Sequence, residues 1–179
     1  MSIPEALKKK HDIFVIVDHI LKNDSNKKVG IWGNSLGGAI SIQALELDER
    51  ITFGIIESTF KDLRQIVYDY QKRYCFNIGF KWLCNRTLDN ASSVGNFDPD
   101  KVRPMDSVVN IEQPVFLAHG DADANIRFEY GQHLYEHLAS EDKIFYRVKG
   151  GGHYNLFKVG GESYTTALFD FIQDQTDIK

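Results

Sequence analysis

The stretch KKVGIWGNSLGGAISI, residues 27–42, breaks an apolar run into glycines around Ser35 and then resumes with a second apolar run. KKVGIW reads as a short buried strand and LGGAISIQALEL as the helix after it, so the glycines stand on a strand-to-helix turn. Gly33-Asn34-Ser35-Leu36-Gly37 fits G-x-S-x-G. In that pattern the serine occupies a tight, strained turn where side chains two residues away would clash, and its hydroxyl stands proud of the sheet. The first turn of the following helix offers unpaired backbone N–H groups and a positive dipole end, and the N–H of Leu36 is the natural donor to an oxyanion. The pentapeptide alone does not decide the chemistry, because glycine-rich turns also bind phosphate and a serine between glycines can simply be small enough to fit. A nucleophile needs a base.

Outward from this turn the chain alternates strands and helices. Leu7, Phe14, Val17, Ile20 and Leu21 recur at helical spacing from Ile3 to Leu21, and Ser2 before Pro4 suits a helix start. ITFGIIEST is a second strand, PVFLAHG a third with Pro114 at its entry, and KIFYRVKG a fourth. FEYGQHLYEHLA and SYTTALFDFIQD are helical patterns. Such alternation predicts an α/β fold, a mostly parallel sheet of about four strands with helices on both faces. His11, His19, His133 and His137 fall inside the helical patterns and are poor bases. His153 follows the fourth strand in GGGHYN, at the carboxyl edge where ligands of open α/β sheets bind and where Ser35 also sits. The third strand ends in HGDADANI and delivers Asp121 and Asp123 to that same edge.

The composition restricts the partners. With 179 residues, 42% hydrophobic, the chain suits one domain, residues 1–179, with a sizeable core. A net charge of −4 with both signs dispersed offers no basic stripe for nucleic acid and no polybasic membrane patch. IFVIVDHIL is interrupted by Asp18 and His19, no run is long enough to span a bilayer, and the N-terminus lacks a signal-peptide pattern. The chain reads as soluble and, by default, cytoplasmic. Cys75 and Cys84 lack the pairing of a metal site and read as buried thiols.

Residues 60–110 are too long for a simple crossover and read as a lid-like excursion. FKDLRQIVYDYQKRYCFNIGFKWL looks helical, and Asn90 to Pro104 a polar loop. Tyr68, Tyr70, Tyr74, Phe76, Phe80 and Trp82 either line an apolar substrate pocket or pack the excursion onto the sheet.

GNSLGGA, PVFLAHGDADANI and VKGGGHYNLF, in that order, resemble the nucleophile elbow, acid loop and histidine loop of the α/β-hydrolase superfamily, and the resemblance covers nearly the whole chain. In the family pattern the acid stands three residues after the glycine of HG, which falls on Asp123. Asp121 is then a loop-capping residue, Glu57 occupies a place from which some relatives supply the acid, and His119 belongs to the loop scaffold. The resemblance implies a serine hydrolase. Ser35 attacks the carbonyl of an ester, thioester or amide, His153 shuttles the proton and Asp123 orients the imidazole, with no cofactor and no metal. The implied partner is a small-molecule or peptide substrate with an acyl group. Relatives carry several strands before the elbow and a loop that supplies a second oxyanion donor; this chain resembles the family only from the helix before the elbow onward. The elbow strand is therefore expected at an open edge that predisposes the chain to self-association. The alternative is a catalytically silent fragment or interaction module lacking the oxyanion loop.

Overall fold

The computed structural model describes residues 3–23 and 27–176, the side chains of residues 3–11 and 23 excepted; Ser2 lies outside them. Four strands, β1 (Val29–Asn34), β2 (Ile51–Glu57), β3 (Val115–Gly120) and β4 (Lys143–Val148), form one sheet in the order β1-β2-β3-β4. Every neighbouring pair is parallel, with Trp32 opposite Ile55, Ile56 opposite Leu117 and Ala118 opposite Tyr146. Parallel neighbours require crossovers, and the helices that make them cover the apolar faces of the strands.

On one face, Val17 of α1 (Ile3–Asn23), Ile42 and Leu45 of α2 (Leu36–Leu47), and Leu134 of α6 (Phe128–His137) bury against Val29, Ile51, Ile56, Val115 and Leu117. On the other, α7 (Leu156–Thr176) packs Leu156, Tyr164, Leu168 and Phe171 onto Phe53, Ile55, Phe116, Ala118 and Val148. Each buried valine, leucine, isoleucine or phenylalanine among them contributes about 1.5–3 kcal/mol by leaving water. The expected α/β sheet with helices on both faces is present. Among the described strands β1 pairs only with β2, so the strand that carries the elbow lies at an edge. No helix of the described residues is long and apolar enough to cross a membrane.

Residues 60–110 differ in detail from the sequence reading. The helical stretch is two helices, α3 (Leu63–Tyr74) and α4 (Lys81–Gly95), and α4 continues into the segment read as loop. The break falls at Phe76 and Asn77, whose φ values of 52° and 64° leave the helical region. Asp62 caps α3 by accepting from the Gln65 N–H at 2.8 Å. The short helix α5 (Pro104–Ser107) then returns the chain to β3. The base of the excursion has its own core, in which Phe60, Leu63, Ile66, Leu88 and Val102 meet Ala39, Ile126 and Tyr130. Cys84 is buried as expected, but Cys75 is exposed, because it closes α3 at the turn and not on the helix face that packs.

Candidate active site

Ser35 joins β1 to α2 with φ 56° and ψ −119°, a conformation that costs a non-glycine residue about 1–3 kcal/mol. The end of β2, the segment after it and the first turn of α2 hold it there. Its N–H donates to the Glu57 carbonyl at 2.9 Å, and its carbonyl accepts from the Thr59 hydroxyl at 2.7 Å and the Ala39 N–H at 3.2 Å. Of the two motif glycines, only Gly33 is sterically required. A Cβ there would sit 2.3 Å from the Gly37 carbonyl oxygen, whereas a Cβ on Gly37 meets nothing within 4 Å. The rule that both flanking side chains would clash therefore applies here on the strand side alone. Gly33→Ala is expected to lower the melting temperature by several degrees, the consequence of ~1–3 kcal/mol of overpacking, while Gly37→Ala leaves it near wild type; thermal denaturation of the two variants checks this.

His153 is 5% exposed and bridges the other two residues of the row. Its Nε2 lies 3.0 Å from Ser35 Oγ and its Nδ1 2.8 Å from Asp123 Oδ2. A carboxylate only accepts, so Nδ1 carries the hydrogen and Nε2 presents a lone pair to the serine hydroxyl. The loops bearing the acid and the base are stitched together. The Ala122 N–H donates to the Gly151 carbonyl at 2.9 Å, and Asp121 Oδ1 accepts from the Gly150 N–H at 2.6 Å. A Cβ on Gly120 would fall 2.1 Å from the Gly151 carbonyl oxygen, so this approach needs glycine. Asp121 also accepts from Arg147 Nε at 2.8 Å, and so ties the loop in place.

Burial raises the Asp123 carboxyl, but hydrogen bonds from His119, His153 and the Ile126 N–H outweigh it and hold the group well below the usual carboxylate range. Its Oδ1 accepts from the backbone N–H groups of Asn125 at 2.7 Å and Ile126 at 2.9 Å. His119, placed by the sequence in the loop scaffold, also reaches this acid. Fully buried, it directs Nε2 at the Ile126 carbonyl oxygen, 3.1 Å away, and stands 3.4 Å from Asp123 Oδ2. Its Nδ1 is buried without a partner, which places the ring hydrogen on Nε2. The four-residue spacing of His119 and Asp123 was the available signal. Leu36 opens α2, and its N–H is one of the four that a helix cannot pair internally.

Glu57 is committed elsewhere. Buried behind the elbow, it accepts from Trp32 Nε1 at 2.8 Å and from the Tyr164 hydroxyl. Burial, followed by the bond to Glu57, drives the Tyr164 phenol far above its ordinary range. Tyr164→Phe is expected to lower stability by ~1–3 kcal/mol, because Glu57 Oε1 loses its buried phenol donor; thermal denaturation of the variant checks this.

A hydroxyl hydrogen-bonded to an imidazole, itself bonded to a buried carboxylate, is the arrangement that activates a serine for acyl transfer. A model of the prolyl oligopeptidase family matches residues 7–177. The chain belongs to the prolyl oligopeptidase family. Among curated proteins of related sequence, a probable dipeptidyl peptidase 4 of Aspergillus flavus is 28% identical over 114 residues, which are 63% of this chain and 13% of that protein. The lysophosphatidylserine lipase ABHD12 of Macaca fascicularis is 28% identical over 131 residues, 70% of this chain and 31% of that one. In fold, the chain resembles a Pyrococcus furiosus esterase, Pf2001, with a TM-score of 0.73 at 18% identity, over 94% of this chain and 62% of the esterase. This member of the prolyl oligopeptidase family thus spans well under half the length of those two curated relatives, and it has the α/β-hydrolase fold.

Proposed function

We propose that this chain carries the catalytic machinery of a serine hydrolase that cleaves a carboxylic ester, thioester or amide through an acyl-enzyme on Ser35. The hydrogen-bonded row Ser35–His153–Asp123 is the observation that supports this most strongly. In the first half-reaction Ser35 Oγ attacks the substrate carbonyl carbon as its proton passes to His153 Nε2. Asp123 stabilises the imidazolium, and the Leu36 N–H faces the oxyanion. The tetrahedral intermediate then expels the leaving group, which takes the proton from Nε2. Water attacks the acyl carbon in the second half-reaction with His153 again as base, and Ser35 is regenerated.

The 60–110 segment serves in this reading as a lid over the site. Arg73 supports it: Nη1 donates to Asn125 Oδ1 at 2.6 Å, and the guanidinium lies 5.5 Å from the Tyr70 ring centroid, so α3 is tethered to the loop that carries Asp123. Tyr70 is half-buried beside the Arg73 guanidinium and available to an apolar acyl group, Tyr68 is half-buried against Lys72 and Lys81, and Tyr74, Phe76, Phe80 and Trp82 are exposed. The relatives include a named peptidase, a lipase and an esterase, so the test covers both bond types. Purified protein is assayed on p-nitrophenyl acetate, p-nitrophenyl octanoate and a glycyl-prolyl anilide. Turnover of any of them, lost in His153→Ala, is the expected result. A folded protein that turns over none favours the silent module, a reading whose support is the open edge of β1 beside the elbow.

A further inference from the structure

The turn between α3 and α4 displays apolar side chains that nothing among the described residues covers. Phe76 is 95% exposed, Trp82 66%, Ile78 59% and Phe80 52%, with Tyr74 and Leu83 beside them. Soluble surfaces scatter such residues singly, and a contiguous group of aromatic and branched side chains marks a place of contact.

This display is held open by its own backbone. The Asn77 N–H donates to the Lys72 carbonyl at 2.7 Å, the Ile78 N–H to the Cys75 carbonyl at 2.8 Å, and the Phe80 N–H to Gln71 Oε1 at 2.7 Å. Phe76 and Asn77 both adopt left-handed φ values, which is exceptional for a bulky residue such as phenylalanine. The turn is thus a hydrogen-bonded wedge that directs Phe76 outward.

Its charge departs from that of the molecule. Between Asp69 and Asp89 the chain carries Lys72, Arg73, Lys81 and Arg86 and no acidic residue, although the whole protein has a net charge of −4. Arg73 is occupied by Asn125, and the ammonium groups of Lys72 and Lys81 lie 5.9 Å and 5.3 Å from the Tyr68 ring centroid. Aromatic and aliphatic tips flanked by lysine and arginine are the composition that seats a segment at the boundary between lipid headgroups and acyl chains. A protein partner of ordinary acidic character would complement the cations alone; an anionic bilayer complements both the cations and the uncovered Phe76, Ile78 and Trp82.

We infer that the α3–α4 turn docks this protein on an anionic phospholipid surface, Phe76, Ile78, Phe80 and Trp82 entering the interface while Lys72, Lys81 and Arg86 meet the headgroups. The inference does not depend on the catalytic reading, although the tether from Arg73 to Asn125 would bring the acid loop close to the membrane.

The test is co-sedimentation of the purified chain with vesicles of phosphatidylcholine, alone or mixed with phosphatidylserine, at physiological salt. Binding to the mixed vesicles that weakens as salt is raised is expected. Phe76→Ser with Trp82→Ser, and separately Lys81→Glu with Arg86→Glu, should each lower partitioning by about tenfold or more, with circular dichroism unchanged. In Trp32→Phe protein, the emission of Trp82 should shift to shorter wavelength on mixed vesicles. A wild-type chain that stays in the supernatant, binding that survives both double substitutions, or self-association through the turn without any vesicle binding would overturn the inference. The last of these would identify the wedge as a protein contact.

Discussion

Ser35→Ala should abolish hydrolysis, with a fall in kcat of about 10⁴–10⁶-fold, because deletion of a nucleophile leaves only binding and oxyanion stabilisation. The effect should be on chemistry and not on folding. Ser35 Oγ contributes one hydrogen bond, to His153, whereas the turn is held by its backbone bonds to Glu57, Thr59 and Ala39. Alanine at a φ of 56° is strained much as serine is, so the melting temperature should move little. Steady-state rates and thermal denaturation on one preparation separate the two effects. His153→Ala should lose comparable activity, and Ser35→Ala with His153→Ala little more than either alone, since residues that act as a unit are not additive.

Asp123→Asn should lower kcat by about 10⁴-fold with the fold intact. The substituted amide can turn its NH₂ toward His153 Nδ1, which then accepts and leaves the ring hydrogen on Nε2, where it faces Ser35 and cannot take the serine proton. A second signature is in stability. The folded-state carboxyl is held below its unfolded value of about 4 by His119, His153 and the Ile126 N–H. The charged form is therefore favoured by folding. Its contribution is fully present above about pH 5 and is lost progressively as the pH falls below 4 toward the folded-state value. Wild type and Asp123→Asn should differ most in unfolding free energy near neutrality, and the difference should shrink in acid. A difference that does not vary with pH would mean that the Asp123 charge is not held by these donors.

Much of this arrangement is legible in the chain because its signals are local. Glycines around Ser35 mark a strand-to-helix turn, and HGDADANI and GGGHYN each follow an apolar run, so all three groups are assigned to one sheet edge before any contact is known. Strand ends are less legible. β1 runs from Val29 to Asn34, two residues beyond the apolar run, because Gly33 and Asn34 pair with Ile56 and Glu57, and pairing is a property of the neighbour. The split of the excursion at Phe76 is hidden because a left-handed phenylalanine has no compositional mark. α7 begins at Leu156, earlier than SYTTALFDFIQD indicates, since Gly160 and Gly161 interrupt the pattern and Gly161 kinks the helix at φ 58°. The association of Glu57 with Trp32 and Tyr164 joins residues far apart in the chain, and only the fold brings them together.

A fluorophosphonate should label the purified, folded chain, and mass mapping of the adduct locates the nucleophile. One covalent addition is expected, on the peptide that contains Ser35, absent from Ser35→Ala and strongly slowed in His153→Ala. Folded protein without an adduct, or an adduct on a serine other than Ser35, would contradict the assignment of Ser35 as that nucleophile.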